Sequence, residues 1–503
     1  MNLRFLLLLL GFGFMFTACD DDEPAPSFNA PTIDAPAGIS TLVAGAASQA
    51  VNFTVTIDSE LTGSYAVTGT GVTITTASGD LAAGSNTVTV NFDAGSTPGA
   101  ASITLTATDS EGQSASGTAV FTVEENPSSI RVVGNITADA TWVTGKTYIL
   151  GGRISVEDGA TLTIEAGTVV KGEAGTGVNA TALVIARGAK LNAEGTASLP
   201  IIFTSIADEI TPDQVASGDF ASPNLGADVT GLWGGLIVLG RARISASTDA
   251  GEQLSEVQIE GIPTSDTNGL YGGSDDADNS GTISYISIRH GGSNIGEGNE
   301  INGLTLGGIG SGTSISNVEV VGNQDDGIEW FGGTVSVTNA VVWNAGDDAI
   351  DTDQAWAGTL DNFVVVTANG SLFELDGPEG DYTARHTIKN GSVRAIFGGR
   401  TTGGSLLDTD NGTSVDFSNI FFAGPLSFTD EDDNTVYLTI TDDEFAATTF
   451  ENVIFNIDAA ELGNLMEQGG AVPAGVSAGT TSQADISVLG WTWAAQAGGL
   501  EGL

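Results

Sequence analysis

Positive charge is what this sequence has least of: 14 Lys and Arg stand against 63 Asp and Glu in 503 residues, a formal charge of -49. Nucleic acid is an unsuitable partner, because phosphate contacts need a basic surface. An anionic polysaccharide would be repelled too, unless a cation bridges the two; divalent cations suit such a surface. Cysteine occurs once, as Cys19, so no internal disulfide can form. Histidine occurs twice, as His290 and His386. Runs rich in the helix-favouring Lys, Arg, Glu and Gln are scarce. The one long apolar run lies in residues 1–18, MNLRFLLLLLGFGFMFTA, after Arg4. That is the layout of a signal peptide, too short for a comfortable transmembrane helix. What is abundant is glycine, 70 residues, with Ser, Thr, Ala and Val. The balance predicts an all-β protein with many tight turns.

FTAC at 16–19 resembles a bacterial lipobox. The resemblance implies cleavage before Cys19 and lipidation of that residue. CDDDEPAPS follows, similar to the acidic surface-export signal of Bacteroidetes lipoproteins. It implies an outer-membrane lipoprotein exposed at the cell surface; an ordinary cleaved signal with a chance cysteine is the plain alternative. Residues 19–37 read as an acidic, Pro-containing tether.

Residues 38–126 alternate apolar and polar positions in short runs such as VNFTVTI (51–57) and NTVTVNF (86–92). Turn residues separate them, the pattern of a small β-sandwich. ITLTATDSEGQSASGTAVFTV resembles the last hairpin of bacterial immunoglobulin-like modules, which implies a stalk or spacer.

Over 130–490 a repeat of about 21–23 residues takes over. LTIEAG (162–167) returns as LVIARG (183–188), and ISNVEVVGNQDDGIEW (315–330) as VTNAVVWNAGDDAIDT (337–352), followed by LDNFVVVTANGSLFELD (360–376). Asn317, Asn339, Asn362, Asn390, Asn419 and Asn452 share one place in it. A period near 22 with short strands suits one coil of a parallel β-helix, stacked at ~4.8 Å. An asparagine at the same turn of each coil can bond the next one and the nearby backbone. In this the chain resembles right-handed β-helix proteins of the pectate-lyase-like class. The stretches 207–232 and 241–281 break the period and read as long loops, where solenoids build binding faces. Residues 491–503, with Trp491 and Trp493, read as a C-terminal cap.

NAGDDAIDTDQAW (344–356) concentrates the chemistry. Strand alternation places Ile328, Trp330, Ile350, Thr352, Phe373 and Leu375 inward. Outward then fall Glu329, Asp351 and Glu374 in one ladder, with Phe331, Asp353 and Asp376 in the next. Asp325, Asp326, Asp347 and Asp348 occupy the preceding turn. In-register carboxylates ~5 Å apart repel by roughly 3 kcal/mol per pair at an effective dielectric near 20. A solvated array tolerates this, whereas a partly buried one needs protons or a cation. Calcium (Ca2+) fits, taking six to eight oxygens without strict geometry. Asp276 and Asp278 in SDDADNSG (274–281) resemble the opening half of a calcium loop, without its closing glutamate.

QDD (324–326) and GDD (346–348) also look like the paired aspartates of polygalacturonase-type glycosidases. That resemblance implies Asp325, Asp326, Asp347 and Asp348 as acid and base in an inverting hydrolysis, with Lys389 as a sugar-carboxylate ligand. The histidine of that family's next coil is missing, since the sequence there reads NGSLF. A lyase would need a basic residue beside calcium, for which Arg385, Lys389, Arg394 and Arg400 are available. Trp233, Trp330, Trp343 and Trp356 can stack on sugar rings, and Trp356, ending its strand beside the acidic patch, is the best placed. The leading expectation is a surface lipoprotein whose β-helix binds or scaffolds extracellular polysaccharide or partner proteins with calcium. A calcium-assisted lyase or inverting hydrolase, and a structural adhesin, are the alternatives.

Overall fold

The computed structural model describes residues 27–503 apart from 47, 249, 261, 296–300, 442–446 and 468–470. The leader and Cys19 lie outside the described residues. The chain divides into two compact units between Pro127 and Ser128.

The first unit is a β-sandwich of a four-stranded and a five-stranded sheet. Its strands alternate as their sequences require: Gln49–Ile57 buries Phe53, Val55 and Ile57, and Gly99–Asp109 buries Ile103, Leu105 and Ala107. The tether is shorter than its composition suggests. Thr32–Asp34 is a strand of the sandwich, paired antiparallel with Asp34 opposite Thr54, and Phe28 and Ile33 pack on the core. An apolar residue every few positions was enough to recruit this acidic segment.

The second unit is a parallel β-helix. Two parallel sheets, of 15 and 8 strands, run its length. A coil consists of a long bent strand, a turn, a short strand and a return, for example Val337–Ala345 followed by Ile350–Asp353. Register follows the repeat: Ile328 pairs with Ile350 and Ile350 with Phe373. The residues expected inward, from Ile328 to Leu375, are all fully buried. The early repeat is different. Leu162 stacks on Leu191, and Leu183 on Ile154, so LTIEAG and LVIARG sit in different sheets and do not form a rung. Two apolar strand-turn units of similar composition within one coil mimicked a period.

All six ladder asparagines mark the bend of the long strand, with φ between 53° and 62°. Asparagine tolerates this left-handed conformation better than other residues with a Cβ. Each amide then bonds its neighbour: Asn339 donates to Asn317 (3.1 Å), Asn362 to Asn339 (2.8 Å), Asn419 to Asn390 (3.0 Å) and Asn452 to Asn419 (2.9 Å). One rung is missing. Asn390 donates to Asp361 instead, and the Asn362 oxygen accepts from the Asp485 N–H (2.7 Å).

Asp485 belongs to a C-terminal strap, which corrects the cap expected at 491–503. After the last strand of the large sheet, Val476–Ala478, the chain runs back along the side of the coils. Ser482 meets Ser392, Trp491 packs on Tyr285, and Trp493 packs on Trp343 and His290. The strap covers an outward apolar stripe that includes Val321, Val341, Val364, Val366 and Phe421. Burial of that stripe, and not closure of the solenoid end, is what its tryptophans achieve.

Candidate carboxylate cation site

The eight-stranded sheet carries the acidic ladder. Thr305, Glu329, Asp351, Glu374 and Asp408 are consecutive register partners, so the ladder is one rung longer than the repeat showed. Its outer face is partly covered, with Glu374 and Asp408 half-buried. In the preceding coils an apolar layer covers it, with Ile244, Ala246, Ile259 and Tyr271 from the 241–281 stretch packed on Val184, Ile237, Leu239 and Phe331. At the ladder itself Glu329 is 7 % exposed and Asp351 8 %.

The aspartate pairs of the preceding turn split by role. Asp347 is exposed, while Asp326 and Asp348 are buried. Asp326 accepts the Asp348 N–H (2.9 Å), Asp348 accepts the Ser371 N–H, and the Ser371 hydroxyl accepts the Ser405 N–H (3.2 Å). The second aspartate of each pair therefore satisfies a turn amide one coil further on, as the asparagines do at the bend. This gives Asp326 and Asp348 a structural part in the turn.

Asp326, Glu329 and Asp351 converge: one carboxylate oxygen from each lies within 4.8 Å of the others. Burial first, and then each other's charge, pushes all three carboxyls well above their usual range. The same causes push Asp353 up to about 8 and Glu374 to about 9. Asp348 lies close enough to Glu374, and Glu379 to Asp353, to add to these upward shifts. Asn302, one coil before Asp326, donates its amide to Glu329, and its own buried carbonyl oxygen has no partner. Three converging carboxylates are an all-oxygen donor set, the kind a hard divalent cation takes. Asp326 thus joins Glu329 and Asp351 in the candidate metal group, while Asp353, Glu374 and Asp376 flank it.

Glu329 and Asp353 also border an open cleft of about 410 Å³, walled by Ala246, Gln258 and Tyr271 of the 241–281 stretch. Tyr271 donates to Gln354 (3.0 Å), and Gln354 donates to Glu379 (3.2 Å). The sequence could not point to Asn302, Tyr271 or Glu379, because they come from coils and loops outside the aligned repeats.

Other expected site residues fall elsewhere. Lys389 pairs with Asp361 (3.4 Å) on the large sheet, where its strand runs before the asparagine bend. Asp276 is held by the Arg243 guanidinium and backbone N–H, which keeps its carboxyl below the usual range. Asp278 is half-buried near the Ser280 hydroxyl, and burial pushes its carboxyl up. Arg385 is taken by Asp416 and backbone carbonyls, and Arg394 by the Glu501 carbonyl. His290 and His386 are buried, and burial pushes His386 down to about 3, so both are neutral packing residues.

Trp356 is no sugar platform. It is 1 % exposed, stacks on Trp330 at 4.6 Å and donates its indole N–H to Val335 (2.9 Å). The chain turns inward after Asp353, with Gln354 and Ala355 both left-handed, and this carries the ring into the core. Trp356→Ala is expected to cost about 3–5 kcal/mol by cavity formation. Denaturant unfolding measures this; a loss below 1 kcal/mol, roughly the scale of a surface change, would contradict the packing.

Stacked parallel coils with a carboxylate face define a parallel β-helix protein. Residues 134–496 match the pectate-lyase-like β-helix domain, and the chain belongs to that family. Among solved structures, it is similar to the family 28 exopolygalacturonase of Yersinia enterocolitica, at 12% identity over 85% of this chain and 87% of that one, with a TM-score of 0.21. It is also similar to WR4, a C. elegans MSP family member, at 12% identity over 19% of this chain and 98% of that one, with a TM-score of 0.15. No curated protein matches the chain.

Proposed function

We propose that the β-helix is the glycan-binding part of a Bacteroidetes-type surface lipoprotein, anchored through Cys19 and raised on an immunoglobulin-like module. Calcium held by Asp326, Glu329 and Asp351 organises its binding face. The convergence of these three buried carboxylates, with no Lys or Arg among them, is the observation that carries the reading. Buried like charges persist only with protons or a cation between them. Outside the cell calcium is plentiful, and a partly coordinated ion can accept sugar hydroxyls or a sugar carboxylate at the cleft. The test is affinity electrophoresis of the mature chain against a polysaccharide panel, with calcium and with EDTA. Retardation by at least one polysaccharide in calcium alone is expected; equal retardation in EDTA would refute the role of the ion. Palmitate labelling, lost in Cys19→Ser, checks the anchor.

A second reading, an inverting glycoside hydrolase, draws on Asp353 and Glu379. Both line the cleft, and the Asp353 carboxyl, pushed up to about 8 by burial and the Glu379 charge, is still an acid donor at neutral pH. Release of reducing ends from any panel member, abolished by Asp353→Asn, would establish it over simple binding.

A further inference from the structure

We propose a second glycan site, for a neutral sugar ring, in a groove on the strap side of the solenoid. The groove holds about 290 Å³ and is lined by Asp228, Trp343, Asn344, Phe397, Arg400 and Trp493. It is separate from the carboxylate face: Trp343 ends a long strand of the large sheet, and Trp493 comes from the strap.

Three rings border it: Phe397 is half-buried, and Trp343 and Trp493 are 8 % and 7 % exposed. Trp343 meets Phe397 edge-on at 6.3 Å and Trp493 edge-on at 5.8 Å. Phe397 stands on a hairpin, Ile396–Phe397 against Arg400–Thr401, whose tight turn is made by Gly398 and Gly399 at positive φ. Asp228 comes from the 207–232 stretch, so this second break in the repeat also builds a wall. Asn344 is occupied within the protein, donating to the Ala227 carbonyl and accepting from Thr367.

Asp228 and Arg400 are not occupied. Both line the groove, yet among the described residues neither side chain has a hydrogen bond or an ion pair, with each other or with anything else. An arginine left without a partner is unusual where acidic residues outnumber basic ones 63 to 14. A donor fork and an acceptor, held apart over aromatic rings, match a pyranose: hydroxyls that both donate and accept at the rim, and a C–H face on the rings. One positive and one negative group leave the rim neutral, and the chain's overall charge repels an anionic glycan, so the sugar is neutral.

The test uses the full mature chain in EDTA, which empties the cation site and separates this proposal from the preceding one. A glycan array of neutral gluco-, xylo-, manno- and galacto-oligosaccharides is probed alongside uronate oligomers, and hits are titrated by tryptophan fluorescence. Binding of a neutral oligosaccharide is expected, weakened about tenfold or more by Arg400→Ala, Asp228→Ala and Phe397→Ala. Asp351→Asn should leave it unchanged. Asp228 is exposed and Arg400 half-buried, without hydrogen bonds or ion pairs to lose, so those two variants should melt close to the wild type. Absence of any neutral hit, binding confined to uronates, or affinity indifferent to Arg400→Ala and Asp228→Ala would each overturn the proposal.

Discussion

Calcium is expected to raise the melting temperature of the mature chain by several degrees near pH 8 and by far less near pH 5; a hundredfold excess over Kd gives about 2.7 kcal/mol. The sign follows from the raised carboxyls. The carboxyls of Asp326, Glu329 and Asp351 are pushed well above their usual range, that of Asp353 to about 8 and that of Glu374 to about 9. Between the ordinary carboxylate range and those values the folded chain holds more protons than the unfolded one. Without a cation, the stabilisation is whole below the ordinary range and is lost as pH rises through the folded values, at up to ~1.4 kcal/mol per pH unit for each proton of difference. Calcium replaces those protons, so its effect grows as they leave. Asp351→Asn should then act with opposite signs. In EDTA near pH 8 it removes a buried like charge and raises the melting temperature. In calcium it removes a ligand and shrinks the calcium shift. Calorimetry of both proteins in both buffers decides: a wild type insensitive to calcium near pH 8, or a variant destabilised equally in the two buffers, would dismiss the cation.

The parts of this site legible in the sequence were those that repeat. A 22-residue shift aligned Glu329 with Asp351, strand parity sent Ile328 and Ile350 inward, and the recurring asparagine located the bend. Whatever depends on a residue outside the period was hidden. Burial of Glu329 and Asp351 is imposed partly by Tyr271 and its neighbours, about eighty residues upstream of Asp351 in a stretch without pattern. The DD pairs looked alike at both positions, yet it is the second aspartate, Asp326 and Asp348, that is buried and accepts a backbone N–H one coil further on. Trp356 shares the inward parity of Ile350 and Thr352, but its strand ends at Asp353 and the left-handed turn that follows, not alternation, carries the ring into the core. Asp276 is held by Arg243, a partner 33 residues away that no spacing rule links to it.

Glu319→Ala is expected to destabilise the β-helix by about 3–5 kcal/mol, the usual cost of leaving one member of a buried ion pair alone. Arg289 and Glu319 are both fully buried, with nitrogen and oxygen 3.7 Å apart. Ser287 bridges them, accepting from the Arg289 Nε (2.7 Å) and donating to Glu319 (2.5 Å). The second Glu319 oxygen accepts the Ala494 N–H of the strap (2.9 Å), and Trp493 lies over the guanidinium at 5.0 Å. Removing the carboxylate therefore strands a buried guanidinium, whose Nη atoms already lack hydrogen-bond partners, and cuts the strap's deepest anchor. Hydrogen exchange should speed up over residues 489–503 before the coils themselves open. Arg289→Met together with Glu319→Leu removes both charges and should recover most of the loss. A double variant as unstable as Glu319→Ala would show that the pair contributes packing rather than charge balance. Should Glu319→Ala fail to fold, Glu319→Gln keeps the shape and one acceptor for the Ala494 N–H. It should then show the same strap-first exchange at a smaller cost, and exchange unchanged from the wild type would rule out the anchor.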